Sequence, residues 1–131
     1  MNRNFYPIGQ KINSIKKGLL RYRENNENIT RHIVMKAYDE QVLLCALIET
    51  GRSPFQHMTN KRVNLIQKSN NDYIYLSGVV EEKPGLNSRT LQIRLYKAAW
   101  FVKKSKGNLS WLQEKYVYDE SFRLENLELA S

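Results

Sequence analysis

Hydrophobic residues near the N-terminus recur at helical spacing. The apolar positions, at steps of four, three and four, are Ile8, Ile12, Ile15 and Leu19. Such spacing puts them on one face of an α-helix, and most of the nearby cations fall off that face. The pattern therefore predicts a basic amphipathic helix over residues 8–23. Gly18 weakens this prediction, so a strand from Gly18 to Arg23 is the alternative.

The central part of the chain carries strand patterns. Partial alternation and β-branched residues predict a strand over 29–38, and the density of Tyr, Ile and Val predicts another over 73–81. Pro84-Gly85 is typical of a type II turn, because proline fixes φ and glycine accepts a positive φ. Residues 89–103 should therefore form the antiparallel neighbour of that strand.

The C-terminal part continues this pattern. Residues 111–118 are expected as a third strand of the meander, after a turn at Lys106-Gly107-Asn108. Residues 122–129 have the pattern of a short edge strand or a terminal helix.

Two segments are ambiguous by periodicity. Residues 41–50 form an apolar run that fits either a buried helix, capped by Asp39 and Gly51, or the second strand of a hairpin. Leu, Ala and Glu favour the helix. Residues 61–68 fit a strand or a short helical turn.

Together these elements predict an α+β fold in one domain, residues 1–131. We expect an antiparallel meander of about four to five strands. The N-terminal amphipathic helix, with a second helix as an option, would pack on one face. Residues 119–131 are a candidate for a loosely packed acidic segment.

Charge is distributed unevenly along the chain. The formal net charge is +8 for 131 residues. Residues 1–38 carry eight Lys and Arg against two acids, and residues 61–107 carry ten against three. Residues 39–60 and 108–131 are acidic. Separate basic blocks indicate an electrostatic partner such as nucleic acid more than a uniform solubilising charge would.

The sequence contains no recognisable catalytic or cofactor motif. The single cysteine, Cys45, excludes an internal disulfide and reads as a small buried hydrophobe. No Cys-x-x-Cys, His-x-x-x-His, Gly-x-Ser-x-Gly or phosphate-binding glycine loop occurs. We therefore expect a non-enzymatic protein without metal or cofactor. A small metal-free nuclease using His57 as general acid or base is a third hypothesis.

The N-terminal residues lack the apolar stretch of a secretory signal, and the longest apolar run is 42–48. We therefore expect a cytoplasmic protein in a reducing compartment, without membrane attachment.

Basic blocks interleaved with aromatic residues give the leading hypothesis, RNA or DNA binding. Strand alternation over 92–102 puts Arg94, Tyr96 and Trp100 on one face, opposite the leucine and isoleucine side. Bases stack on aromatic rings and phosphates pair with cations. The predicted contact residues are Lys16, Lys17, Arg21, Arg23, Lys61, Arg62, Arg94, Tyr96, Trp100, Lys103, Lys104 and Lys106.

The same composition suits a protein interface, because Arg, Tyr and Trp are enriched at binding hot spots. An adaptor, accessory subunit or inhibitor that docks on an acidic protein is therefore the alternative. The acidic and basic segments of two copies could also pair in a homodimer.

Overall fold

The structure is a computed structural model that describes residues 6–39, 41–48, 53–83, 85 and 87–120. These residues form one short helix and seven strands. The elements are α1 (Tyr6–Ser14), β1 (Lys17–Glu24), β2 (Glu27–Asp39), β3 (Val42–Leu47), β4 (Arg62–Ser69), β5 (Asp72–Glu81), β6 (Thr90–Lys106) and β7 (Leu109–Asp119).

The seven strands form one antiparallel sheet that closes on itself. Its order is β3-β2-β1-β4-β5-β6-β7, and β3 also pairs with β6. Strands β1 to β6 therefore make a closed cylinder, while β7 pairs only with the second half of β6. The predicted antiparallel sheet is confirmed, but the predicted α+β fold with a meander of about four to five strands is wrong, because the sheet of the described residues has seven strands and closes. The described residues are mainly β and contain one helix, because the segment expected as a second helix pairs into the sheet.

Alternate residues of the six strands fill the inside of the cylinder. Fully buried side chains at its centre include Leu20, Ile33, Leu43, Leu65, Ile74, Leu76, Ile93 and Leu95. Ile8, Ile12 and Ile15 of the α1 segment belong to the same core. At the other end of the strands, Phe55 and Met58 join it from the β3–β4 connection. Both ends are thus covered by apolar side chains.

The predicted helix over 8–23 ends early. Its first half is α1, but a strand begins at Lys17, as the alternative allowed. In β1, Leu20 and Tyr22 point inward and Arg21 and Arg23 point outward, which is the period of two of a half-buried strand. Leu19 continued the helical spacing by coincidence and lies on the outer side.

The preference for a helix over 41–50 is also wrong, because residues 42–47 form β3. Strand β3 pairs with β2 on one edge and β6 on the other. The outward residues Val42, Leu44 and Ala46 are also half-buried or buried, so both faces of β3 are apolar and the strand reads as a continuous apolar run, like a buried helix. Residues 61–68 resolve to a strand, β4.

The predicted strands over 29–38, 73–81, 89–103 and 111–118 are confirmed, and so is their antiparallel order. Gly85 has a φ of 90°, as the turn prediction requires. The predicted strand or helix over 122–129 lies outside the described residues. Of the predicted acidic segment 119–131, the structure describes only the first two residues.

A β-bulge divides β6 into two halves. Ser77 of β5 is opposite Lys97, but Gly78 is opposite Leu95, so Tyr96 is an extra residue. At the same point β6 changes its second neighbour from β3 to β7. A bulge shifts the alternation by one residue. The inward set therefore changes from Leu91, Ile93 and Leu95 to Ala98 and Trp100.

Cys45 is fully buried in β3, as expected for a structural cysteine. Burial raises the pKa of its thiol to about 12, and a backbone hydrogen bond with Leu91 only partly opposes this. No helix in the described part of the chain is long and apolar enough to cross a membrane.

Candidate nucleic-acid interface

A concave basic surface lies on the outer side of β1, β2 and β4. Its cavity has a volume of about 650 Å³, within the range of ligand sites in proteins. It is lined by Arg21, Tyr22, Arg23, Asn28, Thr30, Lys61, Arg62 and Asn64. We call this surface the basic cleft. Its described lining contains four cations and no carboxylate.

Strand pairing brings the lining residues together from distant parts of the sequence. Arg21 is opposite Thr30 of β2 on one side and opposite Asn64 of β4 on the other. Arg23 is opposite Asn28. Paired residues of antiparallel strands project from the same face. The β1–β4 pairing thus places the cations at 61 and 62 beside those at 21 and 23.

Hydrogen bonds fix several groups at the rim of the cleft. Lys61 Nζ donates to the carbonyl oxygen of Arg23 at 3.0 Å and lies 5.3 Å from the ring centre of Tyr22. A guanidinium nitrogen of Arg23 donates to the carbonyl of Asn26 at 3.0 Å. Like charges held close together repel each other. A bound anion would relieve that repulsion, so the cleft is suited to phosphate.

An aromatic surface adjoins the basic cleft on the same outer face. The Ser77 hydroxyl donates to Asn64 of the cleft at 2.7 Å, and Tyr75 follows two residues away on the same face of β5. The Tyr75 and Phe101 rings meet edge to face, with centroids 5.8 Å apart. Tyr73 is opposite Phe101 across the strands. We call these three rings the aromatic platform.

A cation also lies against the platform. Lys68 is opposite Tyr73 in the sheet, and its Nζ lies 5.3 Å from the ring centre of Tyr73. Tyr75 is the most open of the three rings, at 36% exposure. The outer face therefore combines phosphate-binding charge with rings on which bases can stack.

The predicted face of Arg94, Tyr96 and Trp100 is not formed, because the bulge lies within it. Arg94 is exposed on the outer side and forms an ion pair with Glu81 at 3.1 Å. Tyr96 is the half-buried extra residue of the bulge. Trp100 is opposite the buried Ile74 and packs against the core.

Trp100 belongs to a polar contact beside α1. Its indole nitrogen donates to Asp72 Oδ1 at 2.8 Å, and Lys11 Nζ pairs with Asp72 Oδ2 at 2.7 Å. Burial raises the pKa of the Asp72 carboxyl, but the hydrogen bonds from Lys11 and Trp100 outweigh this and lower it below 3.8. The contact ties the helix to β5 and β6.

This contact makes stability depend on pH. Because the pKa of Asp72 is lower in the folded chain, the carboxylate stabilises the fold above pH 3.8, and this contribution is lost as pH falls through the lowered pKa. We expect Asp72→Asn to reduce the free energy of unfolding by about 1 kcal/mol at pH 7. Urea titrations of both proteins from neutral to acidic pH should show the difference disappearing; a constant difference would contradict the ion-pair role.

The remaining predicted contact residues lie in two other places. Lys16 and Lys17 are exposed at the junction of α1 and β1, and Lys17 shares the outer face of β1 with Arg21. Lys103, Lys104 and Lys106 are exposed at the end of β6. The structure thus gathers four of the twelve predicted residues in the cleft.

His57 occupies an exposed loop with a φ of 55°. It lines neither the basic cleft nor the smaller cavity beside Phe55 and Met58. Within the described ranges, no three His, Cys, Asp or Glu side chains are grouped closely enough to hold a metal ion.

The sequence reasoning missed the aromatic platform, although a signal for it was present. Alternation within the confirmed strand 73–81 puts Tyr73, Tyr75 and Ser77 on one face and Ile74 and Leu76 on the other. Nothing in the sequence indicated that Phe101 faces outward, because this direction depends on the bulge.

Comparison with protein-family models and with curated proteins found no match. The function therefore has to be inferred from the geometry and charge of the described residues.

Proposed function

We propose that this protein binds nucleic acid without catalysis, and that single-stranded RNA or DNA is its ligand. The basic cleft carries the proposal. Four cations converge there around neutral hydrogen-bonding side chains, and none of the described lining residues is a carboxylate. Such a lining matches a phosphate backbone, which supplies most of the affinity in nucleic-acid binding.

The aromatic platform favours single strands over duplexes. Tyr73, Tyr75 and Phe101 adjoin the cleft on one continuous outer face. Bases are available for stacking on such rings only when they are unpaired. If the phosphates of a single-stranded nucleic acid bind in the cleft, the bases of the adjoining nucleotides would lie over the ring of Tyr75. A cytoplasmic location is part of this proposal.

The test is fluorescence anisotropy with labelled RNA, single-stranded DNA and duplex DNA of one sequence. We expect sub-micromolar binding to the single strands at low salt. Four phosphate contacts predict a slope of log K against log salt of roughly −3 for a single strand. Polyglutamate should compete poorly, because it has charge without phosphates or bases. Absence of binding at about 50 mM salt, where electrostatic contacts are strong, would contradict the proposal.

A second candidate function is docking on an acidic protein. The observation that favours it is a set of exposed apolar residues in and near β7, namely Leu109, Trp111, Leu112 and Val117, at 72%, 48%, 46% and 41% exposure. Exposed apolar groups often mark protein interfaces. Strong competition by polyglutamate in the same assay would favour this candidate.

A further inference from the structure

The hairpin between β6 and β7 projects beyond the rest of the sheet. The last pair between β5 and β6 joins Asp72 to Val102, and the Lys103 N–H still donates to the carbonyl oxygen of Asn71 at 2.7 Å. Among the described residues, Lys104 to Lys106 pair with β7 alone. Residues 103–112 are exposed throughout, and they turn back at Gly107, which has a φ of 61°. We call this two-stranded segment the ribbon.

One face of the ribbon combines cations with an exposed tryptophan. Lys104 is directly opposite Trp111, and Lys106 is opposite Leu109. Paired residues, and residues two apart in a strand, share a face, so these four side chains project together. The ribbon residues of this face include no carboxylate. The opposite face carries Lys103, Ser105, Ser110 and Leu112.

Packing against the described residues does not account for Trp111. It is 48% exposed and is not among the residues that pack against the core. Trp100, by contrast, packs against the core and donates a hydrogen bond to Asp72. An exposed tryptophan beside two lysines of the neighbouring strand is an arrangement suited to stacking on a base while the cations bind adjacent phosphates.

We propose that the ribbon is a second contact for single-stranded nucleic acid, separate from the basic cleft. Trp111 stacks on an unpaired base, and Lys104 and Lys106 bind the adjacent phosphates. This inference rests on the proposed function. It assigns to Trp111, which was not among the predicted contact residues, the stacking role that the sequence predicted for Trp100.

The distance between the ribbon and the cleft allows binding at the two surfaces to be distinguished with ligands of different length. Val79 is opposite Arg62 of the cleft, and Asp72 lies at the base of the ribbon. Seven residues of extended strand span about 23 Å between these two points, and Trp111 lies farther out, on the side of β6 that carries Trp100. An oligonucleotide of about 16 nucleotides should therefore reach both surfaces, whereas one of about 4 should occupy only one of them.

Tryptophan fluorescence tests the inference directly, because the chain contains only two tryptophans. Oligonucleotides of both lengths would be titrated into wild type, Trp111→Phe and Trp100→Phe, with anisotropy measured in parallel. We expect the 16-nucleotide ligand to quench wild type and Trp100→Phe but not Trp111→Phe. Trp111→Ala should weaken binding of the long ligand by about 5- to 150-fold, which is the range for losing one stacked base.

The outcomes separate this inference from the proposed function. Normal anisotropy with unchanged Trp111 fluorescence would overturn the ribbon contact and leave the cleft proposal intact. Absence of anisotropy change with every nucleic acid would overturn both. If Trp111→Ala keeps its affinity but loses a concentration-dependent dimer seen by light scattering, the ribbon binds a second copy of the chain and the inference is wrong.

Discussion

Reversing two charges of the basic cleft should weaken single-strand binding by about 100-fold. The double variant Arg21→Glu, Arg62→Glu removes two cations that β1 and β4 bring together in one cavity. A charged hydrogen bond contributes about 1.5–3 kcal/mol, and about 1.4 kcal/mol corresponds to a factor of ten in affinity. The salt slope should also decrease by about 1.4, because two phosphate contacts of a single strand are lost.

The matched control is Lys36→Glu, Lys83→Glu. Both lysines are exposed and neither lines the cleft, so the net charge changes equally while the cleft stays intact. Anisotropy over a salt series should give this control an affinity within a fewfold of wild type at moderate salt. Equal losses in the two double variants would show that only net charge matters, and the cleft would not be the site.

The sequence predicted where charge is concentrated along the chain but not which charges meet. The two basic blocks contain Arg21 and Arg62, and their proximity depends on the pairing of β1 with β4. That pairing joins two distant parts of the chain within a sheet that β3 closes by joining β6. The sheet can close only if residues 42–47 form a strand. Periodicity cannot distinguish a strand from a helix in such a short apolar run.

The prediction of a helix over residues 8–23 was wrong in its second half for a similar reason, because strand pairing decided the structure there. Ile8 and Ile12 of α1 do face the core, as does Ile15 directly after the helix, so that part of the pattern was informative. Leu19 extended the spacing by chance across the junction at Lys16. Tertiary pairing with β2 and β4 then decided the conformation of residues 17–24 against their local helical pattern.

The hairpins were predictable, because their signals are local. Alternation within 73–81 and turn residues at both ends define β5 and its partner β6 without knowledge of the rest of the fold. The bulge at Tyr96 was not predictable from β6 alone. Gly78 lies across the sheet from it, against Ile93 and Arg94 with no room for a Cβ. The bulge decides that Trp100 faces inward and Phe101 outward.

Gly78→Ala should therefore destabilise the fold strongly. A Cβ at residue 78 would lie 2.5 Å from Ile93 Cγ2 and 2.6 Å from the carbonyl oxygen of Arg94. The backbone oxygen cannot move without shifting the strand pair, so overpacking should cost about 3 kcal/mol. Removing glycine from a strand normally stabilises it, by about 0.4–1 kcal/mol, because the unfolded chain loses freedom. A net decrease in the free energy of unfolding would therefore show that the close contact with β6 requires glycine at position 78.

The neighbouring variant Ser77→Ala is the control for this change. It removes one exposed hydrogen bond to Asn64 and should cost less than about 1 kcal/mol. Urea unfolding of the two variants should separate their midpoints clearly, with Gly78→Ala far lower. If the two midpoints coincide, the bulge tolerates a Cβ. The close contact between β5 and β6 at this point would then not require glycine.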